Sequence, residues 1–171
     1  MTAPKQYILD ANVFITAHRE YYAFDIAPRF WDQLLKHAAA GNIWSISQVY
    51  DDITRGLDPK SGEASDRLAV WAVNEFKPFF RDTDDIFDTY LEIINWVANN
   101  SHYTGLAKKD FAEVSDSWLV ASAKALNAVL VTLEKPRNTQ TRVPIPSVCA
   151  RFNIDYMNTF DMMRALGITL K

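Results

Sequence analysis

One cysteine, Cys149, among 171 residues excludes an internal disulfide and any zinc site built on cysteine pairs. Histidine is nearly as scarce. His18, His37 and His102 are scattered without ligand spacing, and they read as structural or exposed side chains. Cys149 falls in an apolar stretch and reads as a small buried hydrophobe. No apolar run approaches membrane-spanning length, and nothing resembles a signal peptide, because the first apolar run is short and interrupted by Asp10. The expectation is a cytoplasmic protein without membrane contact. A general basic field is missing too. With a formal net charge of -3, any nucleic acid must be met by a local patch. Internal repeats and low-complexity tracts are also absent.

What is present suits one globular domain spanning 1–171. Hydrophobic residues make up 49%, aromatics 13% and charged residues 23%, enough apolar surface for a real core. The stretch Tyr7 to Ile15 organises the rest. Its apolar run has the character of a buried parallel strand and reaches one carboxylate, Asp10, with the amide of Asn12 two residues on. Polar groups at the C-terminal ends of such strands sit where open α/β sheets bind ligands. Asp10 is therefore either a site residue or merely the cap of the helix that follows.

Periodicity gives the remaining elements. Helices are expected over Val13–His18, Pro28–Ala39, Ser47–Leu57, Ala64–Phe76, Thr83–Val97, Ser115–Leu126, Ile145–Phe152 and Phe160–Leu166. Strands are expected at Ile43–Ile46, Ala128–Thr132 and Asp155–Asn158. Gly56–Gly62 reads as a loop, Gly105–Phe111 as a connecting piece, and Gly167 as a helix C′ residue. Strands alternating with helices imply a three-layer α/β/α sandwich around a parallel sheet, with about 63–110 as an extra helical insertion. The acids Asp82, Asp84, Asp85 and Asp88 suit a helix start that complements its dipole.

Four acidic positions form a set: Asp10, the pair Asp51–Asp52, Asp116 and Glu134. Helix geometry separates the pair. Val49, Ile53 and Leu57 define the apolar face, Asp52 falls on its border, and Asp51 points to solvent. Asp116 opens a helix that precedes a strand, and such a start is expected at the opposite edge of the sheet. Two carboxylates about 4 Å apart repel by roughly 4 kcal/mol at an effective dielectric of ~20. Gathered oxygen ligands therefore imply a hard cation, Mg²⁺ or Mn²⁺, able to make a water nucleophile more acidic and to offset charge on a phosphodiester.

Asp10-Ala11-Asn12 after its strand, Val49-Tyr50-Asp51-Asp52-Ile53, Ser115-Asp116-Ser117-Trp118-Leu119-Val120-Ala121 and Val131-Thr132-Leu133-Glu134 together resemble the signature of PIN-domain nucleases. The likeness is to bacterial VapC-type toxin ribonucleases. It is narrower still to a longer-chain subgroup in which the first motif precedes stretches like Tyr21-Tyr22-Ala23-Phe24-Asp25 and Pro28-Arg29-Phe30-Trp31. The resemblance implies an acidic pocket in which Asp10, Asp52, Asp116 and Glu134 are catalytic and hold the metal, and it brings Asp116 to that pocket. It further implies an RNA substrate and a cognate antitoxin protein as partner. Two positions depart from the pattern: Asp52 stands where Glu is commoner, and Glu134 where Asp is. Asn12 stands where many relatives carry Ser or Thr and can make similar hydrogen bonds.

From Lys135 to Ile154 there is no acid, whereas Lys135, Arg137, Arg142 and Arg151 are basic. With Asn12 and Thr132, the residues Lys135, Arg137 and Arg142 form the candidate substrate-binding set; an ordinary solvated loop is the alternative. Tyr21, Tyr22, Phe24, Phe30 and Trp31 could stack on bases, pack in the core or form a homodimer surface. Two rival functions stand beside the ribonuclease. A phosphohydrolase of the haloacid-dehalogenase kind also starts from a strand ending in Asp, but needs a second Asp where Asn12 stands. A PIN-like module that binds RNA or a partner protein without cutting would tolerate the substituted acids.

Overall fold

The computed structural model describes residues 3–55 and 66–171. The expected Gly56–Gly62 loop and the first residues of the Ala64–Phe76 helix lie outside them. Three short strands are buried along their whole length: β1 (Tyr7–Leu9), β2 (Ile43–Ile46) and β4 (Val129–Val131). Strands apolar on both faces need cover on both, and that favours parallel pairing with helical crossovers. With β3 (Phe80–Arg81) and β5 (Tyr156–Met157) at its edges, the sheet is parallel throughout, in the order β3-β2-β1-β4-β5.

The helices follow the alternation. Between β1 and β2 come α1 (Ala11–Thr16) and α2 (Pro28–Ala39), the latter opened by Pro28, whose missing N–H costs nothing in a first turn. After β2 come α3 (Ser47–Thr54) and α4 (Arg67–Trp71). The run from β3 to β4 carries α5 (Phe87–Asn99), α6 (Gly105–Glu113) and α7 (Ser115–Ala125). Then α8 (Ile145–Phe152) leads to β5, and α9 (Thr159–Leu166) closes on Gly167, whose φ of 67° is the left-handed C′ conformation. Among the described residues no helix is long and apolar enough to cross a membrane.

Three elements differ from the sequence-based expectation. β3 lies within the segment read as a helical insertion and adds a strand to the sheet, pairing Ser45 with Phe80 and Ile46 with Arg81. Two residues after Pro78 are too few to show a period of two. The Gly105–Phe111 connection is a helix, capped by Thr104, whose hydroxyl accepts the Ala107 N–H at 3.2 Å. Only Ala107 and Phe111 are buried in it, so its apolar stripe is too thin to register as periodic. The α1 and α4 helices each run on into a π-helical turn, Ala17–Tyr21 and Ala72–Phe76.

Much of the core is aromatic. Trp71 sits among Phe14, Phe24, Trp31 and Phe76, with Trp31 edge-on at 4.8 Å between centroids. This cluster locks α1, α2 and α4 onto one face of the sheet. α7 packs between α5 and the strands and is buried almost all round from Leu119 to Ala123, as a central helix must be.

Candidate active site

Asp10 continues β1 by one residue: its N–H donates to the Val131 carbonyl at 3.0 Å. On the other side Ser45, fully buried, donates its hydroxyl to the Leu9 carbonyl at 2.6 Å. The end of the strand is thus fixed from both neighbours, and the Asp10 side chain, 2% exposed, is fixed with it. Asp10 occupies the N-cap position of α1, yet its side chain makes no capping bond. Its carboxylate instead accepts the Thr132 hydroxyl at 3.0 Å. Burial pushes the Asp10 carboxyl up to about 6; the Thr132 bond opposes the rise, the Glu134 charge adds to it, and the nearby Asn12 and Ala11 amides oppose it. Thr132, and no capping bond, fixes the orientation of this carboxylate.

Asp116 stands across the same cleft. The expectation that its helix start faces the far edge is corrected by direction. A helix entering a parallel strand runs antiparallel to it, so α7 begins at the C-terminal edge and ends where β4 begins. Asp116 is consequently held beside Asp10 and is pushed up to about 7. Burial is the main cause, the charges of Asp10 and Glu134 follow, Arg142 opposes them, and Asp52 adds a little.

The other acids are placed differently. Glu134 follows β4 and is tied by two donors, the Arg142 guanidinium and the Ile145 N–H, the latter at 2.8 Å. Arg142 also lies 3.8 Å from Asp116, so one cation spans two of the four acids. Asp52 is half-buried, faces the cleft and accepts a bond from Arg55 at 3.0 Å, while Asp51 is exposed. Asp110, on α6, faces the same cleft. It escaped the sequence reading because its helix was not recognised; the signal was its place five residues before the Ser115-Asp116 motif.

The acidic cleft has a volume of about 500 Å³ and includes Asp10, Asn12, Asp52, Asp110, Asp116 and Arg142. A second hollow of about 360 Å³ adjoins it through Asn12 and Arg142 and carries Glu134, Lys135 and Arg137. Of the expected substrate-binding set, Asn12, Lys135, Arg137 and Arg142 are exposed along these hollows, and none of the histidines lines either. Thr132 is buried; its hydroxyl serves Asp10 and accepts the Glu134 N–H at 3.2 Å. It lines neither hollow.

Oxygen-only donors, with two carboxyls raised by burial and by each other's charge, have the chemistry of a hard-dication site, since a bound cation would relieve both effects. Asp10 and Asp116, with Asp52 and Asp110 at the flank, would hold Mg²⁺ or Mn²⁺. As the side chains stand, no group of three or more acidic, His or Cys residues among those described is arranged to hold an ion. Glu134 would need to leave Arg142 to join them.

A family model described as "Domain of unknown function (DUF4411)" matches residues 7–170. No curated protein matches the chain in sequence. Two solved structures share its fold. One is FitAB bound to an IR36 DNA fragment, with 15% identity over 90% of this chain and 94% of that one, and a TM-score of 0.54. The other is VapBC2 from Rickettsia felis bound to a DNA fragment from their promoter, with 16% identity over 89% and 97% of the two chains, and a TM-score of 0.52. At such identities the likeness establishes the fold alone, a parallel sheet covered by helices.

Proposed function

The chain belongs to the DUF4411 family, and we propose that it is a divalent-metal-dependent endoribonuclease acting as the toxin of a toxin–antitoxin pair. One observation carries the reading. Asp10, buried, and Asp116, half-buried and far away in sequence, share one cleft at the C-terminal edge of a parallel sheet, each with its carboxyl raised. A fold tolerates that arrangement when a cation is its working partner. Mg²⁺ or Mn²⁺ at Asp10, Asp116 and Asp52, joined by Glu134, would supply charge neutralisation at a phosphodiester and a more acidic water.

The chain's own groups do the rest. Thr132 holds the Asp10 carboxylate in one orientation. Asn12, exposed at the mouth, offers its amide to the substrate, and Lys135 and Arg137 place the phosphate backbone along the second hollow. The antitoxin as partner accords with the fold neighbours, which are FitAB and VapBC2 on DNA fragments. The chain acts in the cytoplasm as one domain over 1–171, with its insertion near 63–110, and self-associates as a homodimer.

A second reading has its own observation. Glu134 is engaged by Arg142, and Asp52, one methylene short, by Arg55. That pairing suits a module that binds RNA or a partner protein without cutting. Purified protein should cleave RNA with Mg²⁺ or Mn²⁺ and not with EDTA, and Asp10→Asn or Asp116→Asn should abolish cleavage in a folded protein. Binding without cleavage under either metal selects the second reading. Absence of both overturns the two together.

A further inference from the structure

The C-terminal edge of the sheet carries an ordered series. Because the strands run β2-β1-β4-β5, Asp52, Asp10, Glu134 and Phe160 follow one another along that edge. The hollows follow the same line. The acidic cleft shares Asn12 and Arg142 with the cationic hollow, which in turn shares Thr16 and Leu133 with a shallow apolar one. Tyr21, Tyr22 and Phe160 wall this last hollow.

Its aromatic rings are unlike the others in their segment. Phe24 stacks on Trp31 at 4.1 Å, and Tyr22 on Phe30 at 4.4 Å, so both belong to the core. Tyr21 is 56% exposed and Phe160 46%, and they meet edge to face with centroids 6.1 Å apart. Tyr21 reaches that position at the end of the π-helical turn that prolongs α1, and such turns are frequent at functional sites. Phe160 reaches it from the first turn of α9, directly after β5.

The geometry points to an unpaired nucleobase as the occupant of the Tyr21–Phe160 platform, an inference that rests on the ribonuclease reading above. A single strand whose phosphates follow Lys135 and Arg137 must set its bases on apolar surface, and these rings lie at the end of the cationic stretch. Every base has a π-face, so stacking would be strong without being sequence-specific. Tyr21 closes the helical run Ala11–Tyr21, which at up to ~1.5 Å per residue places it roughly 15 Å from Asp10. At ~3.4 Å per stacked nucleotide, the platform grips a base about four nucleotides from the phosphate at Asp10. The neighbouring cations favour a polyanion over an apolar protein segment.

The test is the affinity of the full-length protein, in EDTA to prevent cutting, for two fluorescent probes. One is a short single-stranded RNA of randomised sequence; the other is an abasic ribose-phosphate chain of equal length. Tyr21→Ala and Phe160→Ala should each weaken RNA binding by about tenfold and leave abasic binding unchanged. Tyr21→Trp should restore it, which a folding defect would not allow. Lys135→Ala with Arg137→Ala should weaken both probes. Wild-type RNA affinity in both aromatic variants overturns the platform and leaves the ribonuclease reading intact, assigning the patch to a protein partner. Equal loss on the abasic chain also overturns it. A wild type that binds neither probe overturns both proposals.

Discussion

The hydroxyl of Thr132 donates to the carboxylate of Asp10 at 3.0 Å, joining the ends of the two central strands, and both residues are 2% exposed. The orientation of the first acid therefore depends on the strand beside it.

Thr132→Val keeps the shape and removes the donor. A buried carboxylate stripped of a bond costs about 1–3 kcal/mol. The variant should lose stability of that order at neutral pH, and the Asp10 carboxyl should rise further, as read by urea unfolding and carboxyl NMR titration. Thr132→Ser should keep most of both. Unchanged stability in the valine variant would mean that the bond contributes little to holding Asp10.

The raised acids make stability depend on pH, with a definite sign. Both start from 3.8, Asp10 reaching about 6 and Asp116 about 7. The folded state therefore holds protons that the unfolded chain has already released. Stability from these groups is highest at low pH and falls as pH rises from about 4 to about 7, by a few kcal/mol at most. In EDTA, Tm at pH 5.5 should exceed that at pH 7.5 once other acids are accounted for by comparison with Asp10→Asn. That variant should be the more stable at pH 7.5 and the flatter with pH. A wild-type slope no steeper than the variant's would contradict the burial of charge at Asp10.

Arg142 sits where a dication would act, on Glu134 and near Asp116. Its side chain is 54% exposed, so the pairing itself is weak, but it competes for the same oxygens. Arg142→Ala should tighten Mn²⁺ binding several-fold by calorimetry while weakening RNA binding. Unchanged Mn²⁺ affinity would show that Glu134 takes no part in holding the ion.

The parallel sheet could be read from residues because β1, β2 and β4 are apolar on both faces, a pattern with few other uses. β3 could not, since two residues beside Pro78 show no period. Asp10, Asp52 and Glu134 follow strand ends and so announced themselves, while Asp116 required the direction of α7, which the resemblance supplied and the geometry explains. The hold of Arg142 on Glu134 was hidden, as the two are eight positions apart along a loop and no pattern fixes a loop's path.

Three acids near the cleft allow a last discrimination. Asp52 and Asp110 both face it, from α3 and α6, whereas Asp51 is exposed one position away from Asp52. Asp52 is held back by Arg55, and the Asp110 carboxylate supplies a second charge on the same wall. A flanking acid that helps hold a metal costs about 10–100-fold in affinity when removed. Asp52→Ala should lose Mn²⁺ affinity and RNA cleavage on that scale, Asp110→Ala should lose less, and Asp51→Ala should lose neither, since that acid is exposed and lies beyond the first turn of α3. Loss in the Asp51 variant with none in the Asp52 variant would reverse the assignment. A larger loss at Asp110 than at Asp52 would make α6, the helix hidden from sequence, the true source of the second acid.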